Sequence, residues 1–583
     1  MNDNKRVMKD SVVIKKAIKY IIPYWKSFLL ALILLLINVA IQIILPYIIS
    51  DATSAIKSLD EIIEQNPMFK IIILAVSYFV LALVNIISQF FMSIVLQKTG
   101  QQIVLNLRED VFTHIESLSA IQLNEIPVGK LVTRITNDTV ALSDMFSNLI
   151  VNFIQSILLI ITTFSVMFFV NYKLALYMLI FVIIVGAISF VFRYISKKLF
   201  REERNRLSDL NSFVSENLTG MKIIQLYNQE DRIKKEFDNH NEKYKKATYN
   251  VMIAFAFYRP SISLVYIFAV ATCFAIGVPS VSSKTFLLFY LYLTNFFEPV
   301  QRLADLLNGF QRGIAASERL FLLLDIKPTI EDEEDAIELD CFEGEIVFDH
   351  VFFAYEKDNW ILKDVSFKID KGQTVAFVGQ TGAGKTTILS LIVRNYDIQK
   401  GHIYIDGHDI KKIKISSLRK NIGQMLQDVF LFSGSIKSNI KLRNDDISDK
   451  EMEKACEYVN ANYFINKLEN KYDQQVLENG SNLSIGERQL LSFARTVVRN
   501  PSILILDEAT ANIDTESEIL IQQSLEKMKS IGTMIVVAHR LSTVRNADKI
   551  FVIDKGVIIE EGNHEQLMEK EGYYYRLCML SIN

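Results

Sequence analysis

Three stretches in the second half of the chain bring together residues suited to phosphate chemistry. In QTVAFVGQTGAGKTT, residues Gly379, Gln380, Thr381, Gly382, Ala383, Gly384, Lys385 and Thr386 fit G-x-x-x-x-G-K-[ST], after an apolar strand and before an apolar helix. The three glycines let backbone N–H groups wrap phosphate oxygens, and the helix start adds its dipole. Lys385 would reach the β- and γ-phosphates, and the Thr386 hydroxyl would ligate Mg²⁺. In PSILILDEAT, four apolar residues lead to Asp507 and Glu508. This pattern describes a buried parallel strand with two carboxylates at its C-terminal edge, where the ligand crevice of such a sheet lies. Asp507 suits the Mg²⁺ shell, and Glu508 suits the water that attacks the γ-phosphate. A third strand, TMIVVAHRLSTV, delivers His539 to the same edge, within reach of the γ-phosphate.

A fourth stretch, SNLSIGERQLL from Ser481 to Leu491, has two readings. Ser484 and Glu487 make an S-x-x-E capping box, an ordinary helix start. A helix start preceded by Ser and Gly is also a phosphate site. An isoleucine, Ile485, sits between Ser484 and Gly486 and belongs naturally to neither.

The elements that position these residues alternate short apolar strands with polar, helix-like segments over 341–583, an α/β pattern. An acidic linker, EDEEDAIELD, precedes them within 326–340. Residues 1–325 differ in kind and hold nearly all the long apolar runs. Six of them, roughly 27–50, 69–97, 145–170, 174–196, 251–279 and 285–308, are long enough to span a bilayer. The fold expected is therefore an all-α membrane domain with six spans, followed by an α/β P-loop domain.

Composition agrees. Half of the 583 residues are hydrophobic, 22% are charged, and mean hydropathy is +0.22, too apolar for a soluble enzyme of this size. The six spans exclude a soluble P-loop enzyme. A net charge of −3 speaks against a nucleic-acid partner, and four scattered cysteines give neither a zinc spacing nor a disulfide framework. The N-terminal segment lacks a signal-peptide core. Lysines and arginines crowd the segment before the first span and the connection after the fourth, which places both termini inside. SVVIKKAIKYIIPYW suits a helix lying on the inner surface. The long polar connections 98–144 and 197–250 suit helices that project into the cytosol and turn there.

Ionisable residues inside spans are functional candidates. Arg259 and Glu298, each just before a proline, would lie at similar depth in the fifth and sixth spans. With Tyr290, Tyr292, Asn295, Phe296 and Phe297 they would line an inward cavity for a small hydrophobic or amphipathic substrate.

Taken together, these motifs resemble the ATP-binding cassette family, specifically its half-transporter exporters, over nearly the whole chain. The resemblance implies further roles. Tyr355 matches the aromatic that stacks on adenine, and Gly379–Thr386 match the Walker A loop, with Thr387 beside it. Gln427 matches the Q-loop glutamine that touches Mg²⁺, and Asp507 and Glu508 match Walker B and its catalytic glutamate. Asn512–Asp514 fall at the D-loop, and His539 matches the switch histidine. Residues 124–138 and 215–230 look like the two coupling loops, and Glu478 like the glutamate of the cross-link loop. The stretch LSIGE then stands at the signature, usually LSGGQ: Ser484 and Gly486 are kept, while Ile485 replaces a glycine and Glu487 a glutamine. In this family the signature of one subunit closes over ATP held by the other, so the resemblance implies a dimer. Intact Walker residues beside an altered signature favour a heterodimer over a homodimer. The expected activity is ATP-driven export from a bacterial plasma membrane. A lipid flippase, a peptide exporter without a processing peptidase, and an ATP-gated channel are the alternatives.

Overall fold

A computed structural model describes residues 8–57, 67–356, 358–426, 428–507, 515–537 and 544–582. The chain divides into two compact units, one of residues 1–116 and 128–326, the other of 117–127 and 327–583.

The described residues of the first unit form helices and short connections. A surface helix, Asp10–Ile21, leads through a short 3-10 turn into Trp25–Lys57. Long helices follow at Pro67–Ser117, Ile150–Val170, Tyr172–Thr219, Glu230–Ser280 and Ser283–Leu324. Asn171 separates two of them: its extended backbone ends one helix, and its side chain accepts from Lys173 N–H and Leu174 N–H to start the next. Among the described residues, five helices are long and apolar enough to cross a membrane. The sixth expected span is also helical, but Thr294, Asn295, Glu298, Gln301 and Arg302 interrupt its apolar run, and it is not among the five. Apolar faces from Met167, Met178, Ile262, Ala269, Phe289 and Leu293 meet in one core. Away from the spans, the carboxylate of Asp138, only 3% exposed, is held between Arg134 and Arg319.

The second unit carries a six-stranded sheet in the order Val557–Gly562, Lys549–Asp554, Thr374–Val378, Thr533–Val537, Ile503–Asp507, Ile422–Met425. All neighbours are parallel except the first pair. Helices cover the parallel strands on both faces, which is why those strands read as continuous apolar runs. A separate antiparallel sheet pairs Ile346–Ala354 with Trp360–Ile369 and with Lys400–Ile405. The acidic linker is docked here: Ile337 bridges Ile413, and Leu339 N–H donates to the Ser417 hydroxyl. Arg394, 2% exposed, donates to the carbonyls of Glu331, Ile410, Lys411 and Ile413 and to Asp397.

Candidate nucleotide site and membrane cavity

Sheet register assembles the phosphate chemistry. Val537 stands beside both Phe377 and Asp507, so three parallel strands end at one edge. The first runs into the glycine loop, whose helix begins at Lys385. Gly384 caps that helix at φ +108°, where a side chain would be strained, and a Cβ on Gly379 would fall 2.1 Å from the Ile553 carbonyl. Gln380, Thr381, Gly382 and Thr386 face outward, while Ala383, Lys385 and Thr387 are buried. The Lys385 ammonium donates to the carbonyls of Gly379 at 2.8 Å and Gln380 at 3.0 Å. Burial lowers its pKa, and the negative charge of Asp507 opposes that shift. A cation buried in the throat of an N–H-rich loop attracts polyphosphate strongly.

Thr386 and Asp507 are hard oxygen donors, the type Mg²⁺ takes. Among the described residues no three His, Cys, Asp or Glu side chains gather to hold a metal. An ion here would therefore share its shell with phosphate oxygens, as Mg²⁺ does in phosphoryl-transfer sites. Gln427, Glu508, Asn512, Asp514 and His539 lie outside the described residues.

Tyr355 follows the strand Ile346–Ala354, is 46% exposed, and places its hydroxyl 3.1 Å from that of Thr387. Its ring meets Tyr396 edge-on at 5.1 Å. Sequence reasoning missed Tyr396, whose pKa is raised by burial and by Tyr355, while a hydrogen bond to Asn124 opposes the rise. Asn124 begins the first predicted coupling loop, 124–138; just before it, Gln122 donates to the Lys327 carbonyl and the Ser119 hydroxyl pairs with that of Thr329. The base-stacking candidate is thus linked through one tyrosine to residues 117–127. A motif search cannot find such a residue, because its partners are distant in sequence.

At the signature, both arms of the capping box form. Glu487 accepts from the Ser484 N–H at 2.8 Å, and the Ser484 hydroxyl accepts from the Glu487 N–H at 3.2 Å. Gly486 is buried and Ile485 is 39% exposed in the first turn. Further along that helix, Gln489 and Ser492 share a cavity of about 30 Å³ with Asp507. Glu478 opens a short turn in which Asn479 is left-handed at φ +56°.

In the membrane unit the cavity candidates separate. Asn295 and Glu298 line one cavity of about 560 Å³, where Glu298 is ion-paired to Arg302. Arg259 lines a different one, with Met252, Phe255 and Pro260. Tyr290 is 36% exposed and lies 6.5 Å from Phe274. Tyr292, Phe296 and Phe297, expected to line the cavity, are instead buried in the helix core at 4% exposure or less, and the Tyr292 hydroxyl donates to the Ile43 carbonyl.

A P-loop domain of this topology fused to a bundle of long membrane helices defines an ATP-driven membrane transporter. Residues 28–300 match the ABC transporter transmembrane region, and residues 362–511 match the ABC transporter family. The chain is 38% identical over 510 residues to YheH of Bacillus subtilis, a probable multidrug resistance ABC transporter ATP-binding/permease protein, covering 85% of this chain and 75% of that one. It is 33% identical over 581 residues to the ATP-dependent lipid A-core flippase of Desulfotalea psychrophila, covering 98% and 99%. The structure of a bacterial Atm1-family ABC exporter with ATP bound superposes with a TM-score of 0.80 at 26% identity, covering 96% of this chain and 98% of that one. The chain belongs to the ABC transporters, as an exporter with membrane and ATP-binding regions on one polypeptide. It is a multi-pass membrane protein whose ATPase activity is coupled to transport, consistent with the inner membrane of a bacterium.

Proposed function

We propose that this chain is one half of a heterodimeric exporter, built as a membrane domain (1–325), an acidic linker (326–340) and a nucleotide-binding domain (341–583). The proposed membrane domain has six spans, with both termini cytoplasmic, and the cargo is a hydrophobic or amphipathic compound. The observation that carries the pairing is the contrast between an intact Walker side and a signature closed on itself. Glu487 occupies the Ser484 N–H and sets a carboxylate at a helix start where a phosphate would need positive potential. That contrast favours a partner with a standard signature, serving the site this chain completes with Glu508.

In this reading the adenine stacks on Tyr355, and the N–H groups of Gly379–Gly384 receive the phosphates. Lys385 turns from two loop carbonyls to the β- and γ-phosphates. Thr386, Gln427 and Asp507 would hold Mg²⁺, which when bound offsets charge on the phosphate oxygens. Glu508 takes a proton from the attacking water while His539 holds the γ-phosphate. Hydrolysis resets the membrane domain because ATP binds one global state better than the other.

The deciding experiment is the polypeptide content of the complex isolated from native membranes through a tag on this chain. Two species are expected, and a single species with full ATPase activity would overturn the heterodimer. The flippase-named relative, aligned end to end, keeps lipid as a second cargo reading. Directional ATP-dependent accumulation in vesicles separates a pump from an ATP-gated channel.

A further inference from the structure

The 560 Å³ cavity has a chemistry of its own. Five carboxamides from four helices line it: Gln42, Gln89, Asn152, Gln155 and Asn295. Asn295 donates to the Gln42 backbone carbonyl at 3.2 Å. The side chains of Gln42, Gln89, Asn152 and Gln155 take no hydrogen-bond partner among the described residues. One turn away on the same two helices, the pattern continues. Asn38 is fully buried with both amide atoms unpaired, and the Asn85 carbonyl oxygen is buried and unpaired.

Gln89 and Asn152 are exposed and Gln42, Gln155 and Asn295 half-buried, so the cavity presents open amides, and packing does not need them, since small or apolar residues pack spans equally well. Each carboxamide both donates and accepts, so the group that matches a ring of them must do both at close spacing. An amide does. The Glu298–Arg302 pair adds one charge of each sign at the rim, and Met92 and Leu159 leave a smaller apolar wall.

We propose that this cavity binds an amide-rich, peptide-like amphipathic solute, and that hydrocarbon-like drugs and acyl chains are not its ligands. The proposal rests on the exporter reading and narrows its cargo. A ligand without N–H donors would leave several lining carbonyl groups unmatched and bind far more weakly.

The test uses the complex isolated from native membranes and reconstituted in inside-out vesicles. Three probes are supplied together: a library of N-acetylated tetrapeptide amides, the same library fully N-methylated, and an apolar bis-benzimide dye. ATP-dependent accumulation of unmethylated peptides, at least tenfold above their methylated counterparts and above the dye, is expected. Gln42→Leu and, separately, Gln89→Ala should each collapse that preference in protein that still elutes as one monodisperse complex. Equal uptake of methylated and unmethylated peptides, or uptake of the dye with the peptides ignored, overturns the proposal. ATP hydrolysis with such a result leaves the exporter reading standing, whereas no ATP-dependent uptake of any probe, together with no ATPase activity, overturns both.

Discussion

Replacing Glu487 by glutamine tests whether the signature is a cap or an obstacle. The carboxamide oxygen can still accept from the Ser484 N–H, so the 2.8 Å arm of the box survives and only charge is lost. Losing a favourable carboxylate–dipole interaction on an exposed first turn costs about 0.5 kcal/mol. Ser484→Ala removes the other arm, which accepts from the Glu487 N–H, and a lost cap costs about 1 kcal/mol. Hydrogen exchange of amides 487–490 in the intact complex reads both as local opening, about twofold faster for Glu487→Gln and about fivefold for Ser484→Ala. The functional effect runs the other way. A partly screened carboxylate–phosphate repulsion of roughly 1–2 kcal/mol disappears in Glu487→Gln, so ATPase turnover of the complex should rise about fivefold or more. If Glu487→Gln loosens the helix as much as Ser484→Ala and leaves turnover unchanged, the carboxylate is only a cap. The signature would then give no reason to expect an unequal partner.

Glu508→Gln should lower ATPase turnover by about 10²–10⁴-fold while ATP binding, followed by a fluorescent analogue, is kept; unchanged hydrolysis would remove Glu508 from its role. Arg394→Met breaks a buried guanidinium from five acceptors and should weaken local stability by about 3–5 kcal/mol. Exchange at residues 331–339 and 410–413 would rise more than a hundredfold, and a change under twofold would show the clamp to be incidental. His350 lies 2.6 Å from Asp364, and that hydrogen bond raises its pKa above 6.5. A raised folded value means that its stabilising contribution is fully present below pH 6.5 and is lost as pH climbs through the folded value. Histidine NMR titrations of wild type and Asp364→Asn should differ in that direction; coincident curves would refute the pairing.

The phosphate site was legible because its determinants are local. A glycine loop, the strand before it and the helix after it are contiguous, and the run ILILD names a buried strand without any long-range knowledge. The register then places Asp507 beside Val537, as a parallel sheet requires. Tyr396 and Arg394 were illegible for the opposite reason. One is an aromatic among 23 tyrosines and the other an arginine among 63 basic residues. Only the folded chain shows that Tyr396 meets Tyr355, or that Arg394 reaches four carbonyls and a carboxylate. The acidic linker read as a linker by composition, yet the backbone of Ile337 and Leu339 hydrogen-bonds to Lys412, Lys414 and Ser417 and docks it there.

Helix geometry explains why the membrane cavity was only half legible. FLLFYLYLTNFF reads as one aromatic stripe, but successive residues on a helix are about 100° apart, and only positions three or four apart share a face. Phe289, Tyr292, Leu293, Phe296 and Phe297 follow that spacing and bury together, each at 4% exposure or less. Asn295, Glu298 and Arg302 follow it too, on another face, and that face meets Gln42, Gln89, Asn152 and Gln155. The aromatic residues are the helix's attachment to its neighbours, and the carboxamides are its offering to cargo. Reading both as one lining leads to a hydrophobic or amphipathic substrate, whereas separating them by spacing points to hydrogen-bonding cargo. Arg259 lines another cavity, and the basic group paired with Glu298 is Arg302. Arg302→Gln should therefore alter the charge preference of transport, measured with cationic and anionic tetrapeptides, and Arg259→Gln should not.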